Sequence, residues 1–192
     1  MTLTLPPAPL LPVLDGDTAQ RAFRAVLDAL ARPGVPASLP ALDLPTALLP
    51  VLALADLDTP VCVLGDTAVD TWARALATAT AAPSAPLGAA RLVAALRPLA
   101  AGELAVVRTG SAAAPEEAAL VVLAVPALDG GPALTLSGPG VPGRRAVTPR
   151  GLPADLVATR AATAFPAGPD LLLVAPDGSV LGLPRSTRIE ED

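Results

Sequence analysis

The chain reads as an α/β domain built on a mixed sheet, and three observations carry that reading. Ala118–Val125 is an unbroken apolar run, AALVVLAV, of the kind that fills a strand buried on both faces. Asp170–Ala175 and Ser179–Leu183 are apolar runs on either side of Pro176-Asp-Gly178, which reads as a hairpin with a type I-like turn. Ahead of both, Ala19, Ala22, Phe23, Val26, Leu27 and Leu30 recur at the three- and four-residue spacing of a helix with one apolar face.

The elements follow in order. Residues 1–14 are Pro-rich and read as an arm, leaving 15–192 as a single domain. Asp17 or Thr18 can cap the first helix, and Arg32-Pro33-Gly34 stops it. Val35–Leu39 is extended. Pro45–Asp58 reads as a second helix capped by Thr46, with Pro50 tolerable in its first turn. Pro60–Leu64 is a buried strand closed by Gly65, and Thr67–Ala79 an amphipathic helix carrying Trp72. The Ala-rich stretch 89–96 fits strand and helix alike. Pro98–Val107 reads as a short helix. After the central run, Leu128–Pro132 is a turn that returns the chain as a strand over Ala133–Leu136, a first hairpin. Pro153–Ala164 is a helix with proline at its start, ahead of the second hairpin.

Composition narrows the chemistry. Of 192 residues 52% are hydrophobic, enough for a full core, while 24 Pro and 15 Gly punctuate short elements. A net charge of −5 and 2% aromatics disfavour nucleic-acid binding, since basic patch and stacking platform are both missing. No apolar run reaches the length of a membrane span. Nothing before Arg21 is basic, so no export signal is read and the cytoplasm is expected. The chain contains no His, Lys or Tyr, and all 13 basic residues are Arg. A Ser-His-Asp mechanism, a Schiff-base amine and a P-loop lysine are thereby excluded within this chain. The lone Cys62 cannot by itself hold zinc or an iron–sulfur cluster, so no metal is expected.

One stretch has the outline of a phosphate cradle: Leu134–Arg145, LTLSGPGVPGRR. Gly138, Gly140 and Gly143 match a dinucleotide-binding spacing by count. Pro139 and Pro142, however, remove two main-chain N–H donors, and no lysine follows. A strand-ending turn is the better reading, with Arg144 and Arg145 on solvated surface. Arg185-Ser-Thr-Arg188 closes the last strand, where it could meet an anion or a partner, although surface salt bridging is expected. Asp58-Thr59-Pro60 reads as a capped turn, and Pro115-Glu116-Glu117 as solvated charge ahead of a strand. No catalytic constellation emerges.

A set of short motifs, in order along the chain, nevertheless resembles a family. They are Phe23-Arg24 with Ala31-Arg32-Pro33-Gly34, then Leu54–Val61 (LADLDTPV), then Thr109-Gly110 with Pro115-Glu116. The Val121–Val125 strand, Leu136–Val141 (LSGPGV), Phe165–Asp170 (FPAGPD) and Pro184–Arg188 (PRSTR) complete it. Together they resemble the H-subunit family of the bacterial carbon–phosphorus lyase core complex, PhnH. Residues 66–105 match only in outline. Asp58, Glu116, Gly138, Gly140 and Asp170 are the motif residues of undefined role; Arg144, Arg145, Arg185 and Arg188 are candidate anion or partner contacts.

The resemblance implies a three-layer domain, a central sheet flanked by helices, like the large domain of type I pyridoxal-phosphate transferases but without the cofactor. It implies a homodimerising subunit working with G, I and J subunits. Together these attach ribose triphosphate from ATP to an alkylphosphonate with loss of adenine, before the J subunit cleaves the carbon–phosphorus bond. It implies an assembly role rather than a catalytic one, and no catalytic residue is carried over. Two readings compete with it: a small α/β transferase holding a phosphate-bearing substrate through Arg144, Arg145 or Arg185, and a structural dimer unconnected with phosphonates.

Overall fold

A computed structural model describes residues 11–66 and 68–191, so most of the Pro-rich arm and Thr67 lie outside the described residues. The chain is α/β. Four parallel strands, β2 (Val61–Leu64), β3 (Leu92–Ala95), β4 (Leu120–Ala124) and β7 (Asp170–Val174), run inward from one edge of a six-stranded sheet, the edge strand being β2. It continues antiparallel into β8 (Ser179–Leu183) and the two-residue β1 (Ala37–Ser38), in the order β1-β8-β7-β4-β3-β2. The expected mixed sheet and the 170–183 hairpin are both present. In the hairpin turn Asp177 accepts from Ser179 N at 2.9 Å, and Gly178 takes φ +87°.

Alternation along the strands divides the core into two faces. Val61, Leu92, Ala94, Val122, Leu172, Val174 and Val180 pack under α1 (Gly16–Ala31) and α2 (Leu48–Leu54), with Leu76 of α3 (Val69–Thr80). Cys62, Val93, Val121, Leu123, Leu171, Leu173, Leu181 and Leu183 face the other way. That second face is covered chiefly by a small antiparallel sheet, in the order β6-β5-β9, made of β5 (Leu134–Ser137), β6 (Arg144–Val147) and β9 (Arg188–Glu191). Two short helices, α4 (Glu103–Val106) and α5 (Leu156–Ala161), contribute Leu104 and Leu156 to the same layer. The stretch 89–96 resolves as a strand because β3 sits between β2 and β4 with all four residues buried.

Several expectations need correction. The 133–136 strand does not return alongside β4, whose neighbours are β3 and β7. The run of β4, buried on both faces, lies inside the covered six-stranded sheet; β5 instead alternates Leu134 and Leu136 inward with Thr135 and Ser137 half-exposed, as a one-sided antiparallel strand does. The cap of α1 is Asp15, not Asp17 or Thr18. Its extended backbone lets the carboxylate accept Thr18 N at 2.9 Å and the Thr18 hydroxyl at 2.8 Å, while Asp17 pairs with Arg21. The second helix runs only over Leu48–Leu54, and Thr46 does not cap it. Asp56 ends that segment by accepting Asp58 N and the Thr59 hydroxyl, which offers the main chain an alternative to helix. The helices expected over 98–107 and 153–164 shrink to α4 and α5.

Gly182 explains how α1 lies so close to the sheet. A Cβ there would stand 2.3 Å from the Ala29 carbonyl oxygen, so only glycine admits the helix backbone against β8. Ala22, Ala25 and Ala29 give α1 the small buried face that this approach needs.

Candidate functional site

Three of the ordered motifs meet at one end of the six-stranded sheet. Asp170 opens β7, and its carboxylate accepts three donors of Arg185: the main-chain N at 2.7 Å, Nε at 3.2 Å and Nη2 at 2.6 Å. The remaining Nη1 of Arg185 donates to the Pro115 carbonyl. Both side chains are mostly buried, with 18% and 21% exposure, so this pair is an internal clamp and not the surface salt bridge expected for Arg185. The same end brings in Thr109, whose carbonyl accepts Gly168 N at 2.7 Å. Three sequence-distant motifs, at 109–116, 165–170 and 184–188, are thereby joined.

Sequence reasoning missed Arg160 of α5, which completes the cluster. Its Nη1 donates to the carbonyls of Pro169 and Leu183, and its Nη2 to those of Pro184 and Thr187. Burial pulls this guanidinium below its usual range, against the opposing attraction of Asp170. No local signal could have found it, because all its acceptors are main-chain carbonyls from later in the chain.

The other candidates lie elsewhere. Arg144 pairs with Glu190 on the surface of the small sheet. Arg145 is half-buried; its stem lies over Gly34, and its Nε is buried without a hydrogen-bond partner among the described residues. Arg188 is exposed and opens β9. The Asp58 side chain caps nothing among the described residues; the carboxylate that organises its turn is Asp56, held below its usual range by the Thr59 hydroxyl and Asp58 N. Glu116 contributes its carbonyl, which accepts Arg91 Nη2 at 2.7 Å, while Glu117 rather than Glu116 forms an ion pair, with Arg108. Gly138 and Gly140 shape the turn between β5 and β6. A Cβ on Gly140 would lie 2.3 Å from the Ala31 carbonyl oxygen and one on Gly138 2.9 Å from that of Ser186. The glycines thus admit main chain, and no phosphate enters the account.

At the opposite end of the sheet, beyond the carboxyl ends of the parallel strands where α/β folds commonly hold ligands, a second clamp follows β3. Arg97 donates to both Glu103 oxygens at 2.8 and 2.6 Å, and Glu103 also accepts Ala100 N. The Arg97 hydrogen bonds lower the Glu103 pKa. In both clusters the carboxylates and guanidiniums are turned onto one another or onto carbonyls. Such an arrangement fastens loops; it presents neither a nucleophile with an adjacent base nor an open cradle of N–H groups.

Beside the first cluster lies a groove of about 520 Å³, between α5, the 163–169 loop and the 185–190 segment. Phe165 stands 68% exposed on it, and Thr187 Oγ1 is buried without a partner among the described residues. No described helix is long and apolar enough to cross a membrane.

Comparison with known proteins agrees with the ordered motifs. The family described as bacterial phosphonate metabolism protein, PhnH, matches residues 15–190. A relative from Rhizobium meliloti (strain 1021), alpha-D-ribose 1-methylphosphonate 5-triphosphate synthase subunit PhnH, is 32% identical over 188 residues, covering 91% of each chain. With the family match spanning nearly the whole described domain and the relative covered over most of its length, the chain belongs to the PhnH family of bacterial phosphonate metabolism proteins.

Proposed function

We propose that this chain is a non-catalytic assembly subunit of the carbon–phosphorus lyase core complex. In that role it is required for making ribose 1-phosphonate 5-triphosphate from an alkylphosphonate and ATP. The observation that carries the reading is the internal use of the motif groups: Asp170, Arg185 and Arg160 hold three loops together and leave no free acid, base or nucleophile among themselves. Charges committed to main-chain acceptors build a rigid surface, which is what a docking subunit needs. The chain acts in the cytoplasm as a homodimer alongside G, I and J subunits, on a fold like that of the large domain of pyridoxal-phosphate transferases, and takes no cofactor or metal. Phe23 and Leu27, one turn apart on α1 and about half exposed, suit the dimer contact.

Deleting the gene should abolish growth on methylphosphonate as sole phosphorus source while growth on phosphate continues, and the chain should co-purify with the G, I and J subunits. Normal growth of the deletion strain on methylphosphonate overturns the proposal. The alternative, a transferase binding a phosphate-bearing substrate through arginines, is disfavoured because Arg185 is fully engaged, Arg144 is paired, and Arg145 lies half-buried with its stem over Gly34 and its Nε out of solvent. Saturable ATP binding to the isolated chain near micromolar Kd, about −8 kcal/mol, would favour that alternative.

A further inference from the structure

The groove beside the Asp170–Arg185 clamp has features that the internal network does not use. One wall is β9, the last strand in the order β6-β5-β9, so its outer edge has no strand neighbour among the described residues. Main-chain N–H and C=O groups on such an edge point outward at every second residue and are open to a further strand. Arg188, which opens this strand, is exposed, and its side chain has no hydrogen bond or ion pair among the described residues. The groove lining carries Arg160, Arg185 and Arg188 with one carboxylate, Glu190, which Arg144 already engages; with Asp170 behind Arg185 counted, four guanidiniums meet two carboxylates. The local field is therefore positive, in a chain whose net charge is −5. On the opposite wall Val157, Ala161 and Phe165 supply apolar surface.

These features decide what fits. A phosphate group needs several converging donors, yet the nearby N–H groups of Ala167, Gly168 and Thr187 are already spent on Ala164, Thr109 and Pro184 carbonyls. What remains is the single Thr187 hydroxyl and one free guanidinium, matched to one carboxylate, beside apolar surface and an open strand edge. We propose that this groove is where another subunit of the complex docks, by adding an extended segment to the edge of β9. That segment places an Asp or Glu carboxylate on Arg188 and an apolar side chain against Phe165 and Ala161. The proposal rests on the subunit reading above and specifies the surface that executes it.

The test is titration of the purified chain into the G, I and J subunits, with affinity measured for variants of unchanged melting temperature. Arg188→Glu places a carboxylate against the incoming carboxylate, and Ala161→Trp fills the groove; each should weaken binding about tenfold or more. Arg188→Ala should also flatten the salt dependence of the Kd. Arg74→Glu, an exposed charge reversal on α3 on the other side of the six-stranded sheet, should bind these subunits as the wild type does. If both groove variants bind like wild type, docking is elsewhere and this proposal falls while the subunit reading stands. Should the wild-type chain itself fail to bind, the subunit reading falls first. Arg188-dependent uptake of inorganic phosphate or methylphosphonate, with partner affinity unaltered in Arg188→Glu, would overturn the proposal in favour of a small-anion site.

Discussion

Arg185 engages all three nitrogens of its guanidinium, two on the Asp170 carboxylate and one on the Pro115 carbonyl, and that geometry decides what substitutions do. Asp170→Asn keeps the shape and removes the charge, leaving a mostly buried guanidinium without its counterion. Breaking one partner of such a pair costs about 3 kcal/mol or more, so its urea midpoint should drop clearly. Arg185→Lys should fare little better, because a single ammonium cannot cover a carboxylate face and a carbonyl from a different loop. Arg144→Ala, by contrast, removes an exposed pair and should leave stability within about 1 kcal/mol of wild type. Equal midpoints for Asp170→Asn and Arg144→Ala would refute the distinction between clamp and surface pair. Phosphonate growth should follow stability in these variants, since neither residue is assigned to the chemistry.

At the scale of elements the contact of α1 with β8 is the most exacting. Gly182→Ala forces a methyl into the Ala29 carbonyl, and backbone cannot step aside as a side-chain tip can. A loss of about 1–3 kcal/mol is expected, read as a lower melting temperature. Gly16→Ala makes the control, because nothing lies within 4 Å of a Cβ there; alanine in the first turn should be neutral or slightly stabilising. A Gly182→Ala variant as stable as wild type would mean that α1 can lift off the sheet without loss. The same scale separates what could be read from the sequence. The helix of 16–31 and the strands of 61–64, 120–124 and 170–183 were legible from period and run length, because packing and pattern agree there. Strands β6 and β9 were not, since RRAV and RIEE are short, charged and lack the apolar alternation of a half-buried strand. Nor was the partner of β5, which is a tertiary choice between two layers. The clamp residues Asp170 and Arg185 were named from the ordered motifs, but their meeting place was not. It depends on carbonyls as far as 70 residues away in sequence, and every main chain offers the same carbonyls.

For the whole molecule, the missing residue types set the response to pH. With no His, Lys or Tyr, no side chain of ordinary pKa titrates between about pH 5 and pH 8. On the acid side the folded state lowers four carboxylates: Asp15 through Thr18 N, Asp56 through the Thr59 hydroxyl, Glu103 through Arg97, and Asp177 through Ser179 N. A depressed folded pKa means that the unfolded chain binds protons first. The stabilisation is therefore whole above the ordinary carboxylate range and is lost as pH falls through it, below about pH 4. On the alkaline side burial raises the Cys62 thiol, with Glu103 adding to the effect. The unfolded thiol then ionises first, so its contribution is intact below about pH 8.5 and declines above it. Urea midpoints should accordingly form a plateau from about pH 5 to pH 8, with a steep acid limb and a shallow alkaline one. Cys62→Ala should extend the plateau upward without moving the acid limb, although the missing sulfur lowers its absolute level. Glu103→Gln should soften the acid limb while leaving the plateau flat. A midpoint that changed markedly between pH 6 and pH 8 would require a strongly shifted carboxylate or thiol, contrary to the clamps that hold these groups in their charged or buried states.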